Sequence, residues 1–383
     1  MKQTKLKIAY LNVNRFNPFL CDGVSASSLE LLKFLTDQGH EAVILTYSTH
    51  EPFKQNIFYR AVQQHAPELQ GKNLKSFSYI MDNIAVFEEL LPFNQTELFE
   101  NQKYILKSMN QKILAAEINY LITVEDDFLS LLPGSILGIP GAHFFHSPAY
   151  LSPYQHFPFF LKLLKKRNLF AVSGFLQAKI KKELGLDADL WYPLFDLGKY
   201  RLKKSCNPNN HLGYYSAGQH KGDDIFNRLV LAIPDWNFTV IGQHYTHGFD
   251  KIPKNLHLWG DNPDFKRFYN SVGLLIVPSL IEEGFPRVIL EAAANGIPTV
   301  ANSLGGIPEA MGDSGILVEL GAAELKRPDI GKLAAIYREA IERMAADKDF
   351  YRGLQQKAFN RAQAYEVKQA ELSMNNLKKI LGG

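Results

Sequence analysis

Apolar residues fall along the chain in short runs separated by stretches of helical spacing, and the alternation begins near the start. Leu6 to Val13 reads as a strand, and Val24 to Gln38 reads as a helix carrying Leu29, Leu31, Leu32, Phe34 and Leu35 on its apolar side. Ala42 to Tyr47 reads as a second strand, which makes a βαβ opening with Gly39 as the helix cap. Further strands are expected at Leu121 to Val124, His143 to His146, Leu169 to Val172 and Leu190 to Tyr192. A boundary is expected near Pro193 to Lys204. A second alternating set then follows: Leu212 to Ser216, Phe238 to Gly242, Leu256 to Trp259, Leu274 to Val277, Thr299 to Ala301 and Ile316 to Val318. Helical stretches lie between most of these runs, so each half is expected to be a mostly parallel sheet covered on both faces. The tail from Leu333 to Leu381 is helical by pattern, whereas His50 to Asn119 gives no clear reading.

Length agrees with this division, because 383 residues exceed one small core and suit two domains of roughly 190 residues each. Hydrophobic content of 46% with 21% charged residues is that of an ordinary globular chain and excludes disorder. A net charge of +3 does not call for a nucleic-acid partner, although a few local cations suffice for a diphosphate. Cys21 and Cys206, the only cysteines, offer no disulfide framework or multi-cysteine metal site, and the cytoplasm is the expected compartment. The opening residues lack a signal peptide's apolar core, and no run approaches the roughly 20 apolar residues of a spanning helix. There is no Gly-x-Gly-x-x-Gly after the first strand and no Gly-x-x-x-x-Gly-Lys-Ser/Thr, so dehydrogenase and P-loop chemistries lose their main support.

The segment from Pro278 to Asn302 carries the most chemistry. A buried strand ends at Pro278-Ser279, a loop follows, and a short helix begins near Pro286 and is capped by Gly296. The N–H groups of Gly284, Phe285, Arg287 and Val288 then lack intrahelical partners and can meet ligand hydroxyls or an anion. Glu283 lies just before this helix and Glu291 about two turns along it, so both carboxylates can reach one elongated, polyhydroxylated ligand. A carboxylate accepts paired hydrogen bonds from neighbouring hydroxyls without a metal, which suits a sugar or a ribose. A bare Glu-x7-Glu pair also describes a favourable N-terminal charge and a solvated face. The glycine, aromatic and proline that follow Glu283, and the strand-like run Pro298 to Ala301, favour the ligand site.

With these residues in view, the chain resembles the retaining glycosyltransferases of the GT-B fold, in particular glycosyltransferase family 4. The family's Glu-Gly-Phe-(Gly/Pro)-x-x-x-x-Glu motif matches Glu283, Gly284, Phe285, Pro286 and Glu291, and Gly305, Gly306, Ile307, Pro308 and Glu309 follow in order. The resemblance implies an α/β architecture of two Rossmann-like domains facing each other across a cleft. Residues 1–195 would form the acceptor side and 196–364 the nucleotide-sugar side, with 365–383 a helix crossing back to the first domain. It also implies transfer of a sugar from a UDP- or GDP-linked donor to an acceptor hydroxyl with retained configuration and no required metal. Glu283 would hold the sugar hydroxyls, Glu291 the ribose, and Lys221 the diphosphate. His146 would point toward the donor sugar, and Gly23 would open a helix whose backbone approaches phosphate. Trp259 ends Leu256 to Trp259, which resembles the family strand whose backbone would read the base. Gln219 stands where the family has arginine, so the second phosphate-binding cation falls to His220 or Arg287.

Three features keep other readings open. Glu125, Asp126 and Asp127 after the strand at Val124 read as solvated loop carboxylates rather than metal ligands, with Asp127 also in reach of an acceptor. The segment His143 to Arg167, rich in Phe, Tyr and Pro and ending in Lys162, Lys165, Lys166 and Arg167, reads as aromatic core with a basic rim, as an acceptor cleft, or as a surface for anionic lipid. An epimerase or hydrolase on the same fold, or a non-catalytic partner subunit that binds a sugar nucleotide or glycan, also accommodates these motifs.

Overall fold

The computed structural model describes residues 5–14, 16–17, 23–125, 127–202, 210–216, 218–242, 245, 248–260, 264–321 and 325–382. The chain divides into two compact units. The first comprises Met1–Val172, Leu176–Leu194 and Leu372–Gly383, and the second Ser173–Phe175 and Phe195–Glu371.

The first unit is built on eight strands: β1 (Lys7–Val13), β2 (Glu41–Ser48), β3 (Ser76–Met81), β4 (Ile84–Leu90), β5 (Tyr120–Val124), β6 (Gly141–Phe145), β7 (Asn168–Ala171) and β8 (Asp189–Leu190). They are ordered β3-β4-β2-β1-β5-β6-β7-β8, and every pairing is parallel except that of β3 with β4. β1 is buried on both faces: Ile8 and Tyr10 join one core with Leu32, Ile44, Ile122 and Phe144, while Ala9 and Leu11 join another with Ile105 and Met109. The helix Gly23–Asp37 covers the first face through Leu31, Leu32 and Leu35. Past its end Gly39 adopts φ +91, and the buried His40 accepts the Leu6 N–H through Nδ1 at 3.2 Å, tying the helix exit to the start of β1.

The stretch that gave no reading from sequence contains the β3–β4 hairpin, turned by Asp82 and Asn83 at φ +48 and +65. Two left-handed residues match the right-handed twist of the flanking strands, and Asp and Asn are the side chains that tolerate them. The same stretch holds a helix, Gln102–Ala115, that buries Ile105, Met109 and Ile113 at helical spacing. β8 is shorter than expected, since Trp191 leaves the strand and packs edge-on against Phe144 and Phe170 in the core.

The second unit is a six-stranded parallel sheet: β9 (His211–Tyr215), β10 (Asn237–Ile241), β11 (Leu256–Leu258), β12 (Leu274–Val277), β13 (Thr299–Asn302) and β14 (Gly315–Val318). Its order is β11-β10-β9-β12-β13-β14. The helices Asp223–Ala232 and Ile330–Ala346 cover one face through Phe226, Leu229, Leu333, Tyr337 and Ile341. The final helix, Lys348–Gly382, contributes residues to both units. Tyr365 packs at Phe285 in the second, whereas Leu377 and Ile380 join the core of the first, each side chain burying about 2 kcal/mol of apolar contact. No helix among the described residues is long and apolar enough to cross a membrane.

One buried group sits uneasily in this scaffold. Glu88 on β4 is 1% exposed, and neither carboxylate oxygen has a hydrogen-bond partner among the described residues. Burial pushes its carboxyl from an ordinary 4.5 to about 8. The native state therefore keeps the proton that the unfolded chain releases above about pH 4.5. Stability from this group is intact below that pH and erodes as pH rises toward 8, by about 3 kcal/mol at pH 7. Glu88→Met is expected to flatten this part of the stability–pH curve and to raise the denaturation midpoint most at pH 7 to 8. Urea titrations at pH 5 and pH 8 measure the difference, and equal effects of the substitution at both pH values would exclude a protonated Glu88.

Candidate active site

In the second unit the chain runs outward from β9 to β10 and β11, then returns to β12 on the other flank of β9. The connections leaving β9 and β12 diverge at this reversal, and ligands of open α/β sheets bind in the crevice beyond such strand ends. The loop after β9 is Gly218–Gly222, containing the single 3-10 turn Gln219–Lys221, and the loop after β12 runs from Pro278 to Pro286. Lys221 and Glu283 are thereby brought together from positions 62 residues apart.

Backbone contacts fix both loops. The Leu280 N–H donates to the His220 carbonyl at 2.9 Å. Gly222 adopts φ +95, and a Cβ there would lie 2.3 Å from the Pro278 carbonyl oxygen. The loop after β13 closes on the other side, where the Gly306 N–H donates to the Glu283 carbonyl at 2.7 Å. A Cβ on Gly306 would lie 1.9 Å from the Gly284 oxygen, and one on Gly305, at φ +63, 2.5 Å from that of Glu283. Only glycine permits this approach. Asn302 adds a side-chain tie, donating to the Ser279 carbonyl at 2.9 Å and accepting from the Tyr337 hydroxyl at 3.0 Å.

The functional side chains project from this frame. Lys221 Nζ lies 2.5 Å from Glu283 Oε1, and the two side chains are 23% and 14% exposed, so the pair is shielded yet reachable. No acceptor among the described residues takes the Gly284 N–H. Phe285 is buried and stacked on Tyr365, which anchors the loop rather than presenting a ring to a ligand. Pro286 has ψ +99 and stands as the N-cap, so the helix begins at Arg287, one residue later than expected, and runs to Ala293. Glu291 is buried on it and accepts the Tyr269 hydroxyl at 2.9 Å. Arg287, one of the two candidates for a second phosphate cation, has its guanidinium inside the fold, 3.1 Å from the Tyr200 hydroxyl and 3.8 Å from Glu291. The exposed His220 and Gln219 remain on the 3-10 turn beside Lys221. Trp259 is half-buried just past β11, with its backbone N–H on the Val240 carbonyl and the Arg267 guanidinium over its ring.

Sequence reasoning missed Asp223 and Tyr269. Asp223 is fully buried at the start of the helix after Lys221-Gly222, accepting from Ser216 Oγ at 2.6 Å and the Tyr214 hydroxyl at 2.7 Å. Ser216 Oγ in turn accepts the Gly218 N–H, so Asp223 sets the course of the lysine loop. Its place directly after Lys-Gly at a helix start was the available signal, whereas Tyr269 is 22 residues from Glu291 and carried none.

In the first unit the strand order reverses between β1 and β5. Gly23 opens the first helix there, and most of the loop preceding it lies outside the described residues, as does Asp126. Glu125 and Asp127 are not solvated as expected, being 1% and 7% exposed. Strand ends at a reversal leave N–H groups without ladder partners, and these carboxylates take them. Asp127 accepts from Val13 N–H at 2.7 Å and caps the helix Phe128–Leu137, and Glu125 accepts the His146 N–H at 3.1 Å. His146, half-buried just past β6, is thus held through its backbone. Nearby His143 is fully buried between Thr123 and Tyr154, and burial lowers it to about 3, which keeps it neutral.

A family profile falls on the same segment. Residues 218–328 match the profile of the family described as Glycosyl transferases group 1, a span holding Lys221, Glu283, Glu291 and Gly305-Gly306. The chain is 36% identical over 187 residues to the D-inositol 3-phosphate glycosyltransferase of Segniliparus rotundus, a match that covers 41% of this chain and 40% of that protein. It spans between 36% and 40% of the length of the curated relatives it matches. In structure it resembles the sucrose-phosphate synthase of Thermosynechococcus elongatus over 99% of this chain and 100% of that one, with TM-score 0.72 and 17% identity. Anabaena HepE in complex with UDP-glucose matches 95% of this chain and 98% of its own, with TM-score 0.61 and 16% identity. These likenesses establish the fold as two α/β units with parallel sheets, the GT-B type.

The glycine contact is directly testable. Gly306→Ala is expected to push the Glu283-Gly284 backbone out of place, destabilising the protein by about 1–3 kcal/mol and weakening nucleoside-diphosphate binding at least about ten-fold. Calorimetric titration with UDP and GDP measures the second effect, and unchanged affinity would show that the contact does not shape the site.

Proposed function

We propose that this chain is a retaining glycosyltransferase that moves a sugar from a nucleoside-diphosphate donor to an acceptor hydroxyl without a divalent metal. The observation that carries this reading is the Lys221–Glu283 pair at the reversal point of the second sheet, set by the glycine contacts and inside the segment matched by the group 1 profile. A cation beside a carboxylate answers the two chemical demands of such a donor. The diphosphate needs positive charge, and the sugar needs a hydroxyl acceptor.

In the absence of donor, Lys221 neutralises Glu283. A bound diphosphate competes for the ammonium, and Glu283 then takes sugar hydroxyls. Glu291, oriented by Tyr269, serves the ribose, and the Gly284 N–H faces the sugar. As the bond from the anomeric carbon to the diphosphate oxygen breaks, negative charge grows on the leaving group and Lys221 stabilises it. The acceptor hydroxyl forms the new glycosidic bond on the same face and gives its proton to a departing phosphate oxygen, so no dedicated base is needed. Positioning by the two loops supplies much of the rate. UDP is the favoured donor nucleotide because Anabaena HepE, of the same fold, is in complex with UDP-glucose, with GDP as the other expectation. Glycan or glycoconjugate assembly is the setting such a reaction serves.

Turnover of UDP- and GDP-sugars with polysaccharide, lipid-linked and small hydroxylated acceptors tests the proposal. Glu283→Gln is expected to lower kcat/KM by about 100-fold, and Lys221→Met to raise the donor KM and lower kcat by about 10-fold or more. Chelator leaves the rate unchanged, and the product keeps the donor's anomeric configuration by NMR. Undiminished turnover in Glu283→Gln would remove the site assignment, and an inverted product would remove the retaining mechanism.

A further inference from the structure

Charge is distributed unevenly over the chain. From Phe128 to Lys182 there are seven lysines and arginines and no aspartate or glutamate, although the whole chain carries a net charge of only +3. Three of these cations have partners elsewhere, and Lys182 is exposed on a separate helix. Lys179 pairs with Glu183, Lys181 pairs with Asp187, Lys182 lies on their helix, and Arg167 turns inward, its guanidinium 3.4 Å from the carbonyls of Leu131 and Ile139. The other three, Lys162, Lys165 and Lys166, are exposed and have no ion-pair partner among the described residues.

These three lysines follow an apolar projection. The helix Pro158–Leu164 is preceded by Phe157, and Phe157 and Phe159 are 48% and 57% exposed. Two large aromatics at such exposure, two residues apart on one short segment, make a local apolar surface. They are also held in place. Phe128 stacks on Phe160 at 4.4 Å and meets Tyr154 edge-on at 4.9 Å, and Phe157 and Phe159 lie against Phe160 at 6.3 and 5.5 Å. The two exposed rings are the outer layer of a packed aromatic cluster, so presenting them costs little ordering entropy. Phe159 and Lys162, three residues apart, lie on one side of this helix, and Lys165 and Lys166 follow directly after its last residue, Leu164.

We propose that this projection is a docking site for an anionic phospholipid surface. Phe157 and Phe159 would enter the headgroup boundary while Lys162, Lys165 and Lys166 meet the lipid phosphates. The chemistry of the patch fits that one partner: exposed aromatic rings beside unpaired ammonium groups match a boundary that is apolar below and negatively charged above. The segment lies between β6 and β7, and so follows His146 in the same connection. The inference is independent of donor chemistry.

Co-sedimentation of the full chain with vesicles tests it, using phosphatidylcholine alone and phosphatidylcholine mixed with phosphatidylglycerol, without donor. The wild-type chain is expected to partition onto the anionic vesicles, to release at high salt and to ignore the neutral ones. Replacing Lys162, Lys165 and Lys166 together by Gln lowers partitioning by roughly 100-fold, at about five-fold per lysine. Phe159→Ser also lowers it while leaving the salt dependence in place, and this exposed substitution keeps the thermal midpoint unchanged. Equal binding to both vesicle types, absence of binding by the wild type, or indifference to Phe159→Ser would each overturn the proposal. Concentration-dependent self-association abolished by Phe159→Ser, without vesicle binding, would instead make the patch a protein interface.

Discussion

The candidate site depends on one steric constraint, the approach of the Gly305-Gly306 backbone to the Glu283-Gly284 peptides. A single methyl on either glycine would sit within 2.5 Å of a carbonyl oxygen. Because the loops can touch, Glu283 is fixed by its main chain from one side while the Leu280 to His220 bond fixes the lysine loop from the other. The carboxylate and the ammonium then meet without any element of regular structure linking them directly. Each loop by itself would have many conformations, and the cost of selecting one is met during folding rather than when a ligand arrives.

This arrangement accounts for how charge is handled in a shielded place. Lys221 and Glu283 neutralise one another, whereas Glu291 and Arg287 do so deeper in the same unit with help from Tyr269 and Tyr200. Asp223, fully buried, is satisfied by two hydroxyls. Neutralisation of this kind keeps ionised groups inside the protein at tolerable cost and leaves them oriented. The outer pair remains partly exposed. Glu88, by contrast, has no such partners among the described residues, and burial raises its carboxyl toward the neutral form, which separates burial that positions a charge from burial that removes it.

Much of the scaffold was legible in the chain because parallel strands buried on both faces appear as unbroken apolar runs, as at Leu274 to Val277, which matches β12 exactly in extent. The β3–β4 hairpin escaped notice because β3 begins by alternating Ser with aromatic residues and β4 carries Glu88 and Glu89 near its end, although Asp82-Asn83 between them is a turn signal. At the site, Glu283, Glu291 and Lys221 were visible through short motifs. The hydroxyls that hold Glu291 and Arg287 were not, since Tyr269 and Tyr200 reach the helix Arg287–Ala293 only through the fold. The burial of Glu125 and Asp127 was misread for the same reason. A run of acidic residues in a loop looks solvated until the topology places it beside the unpaired N–H groups of β1 and β6.

The most direct measurement is the position of Lys221 in a crystal grown with an unreactive UDP- or GDP-sugar analogue. The account predicts that its ammonium leaves Glu283 for the diphosphate, with Glu283 on the sugar hydroxyls and the Gly306 to Glu283 backbone bond intact. A ligand bound elsewhere, or one that leaves the Lys221–Glu283 pair closed, would contradict it.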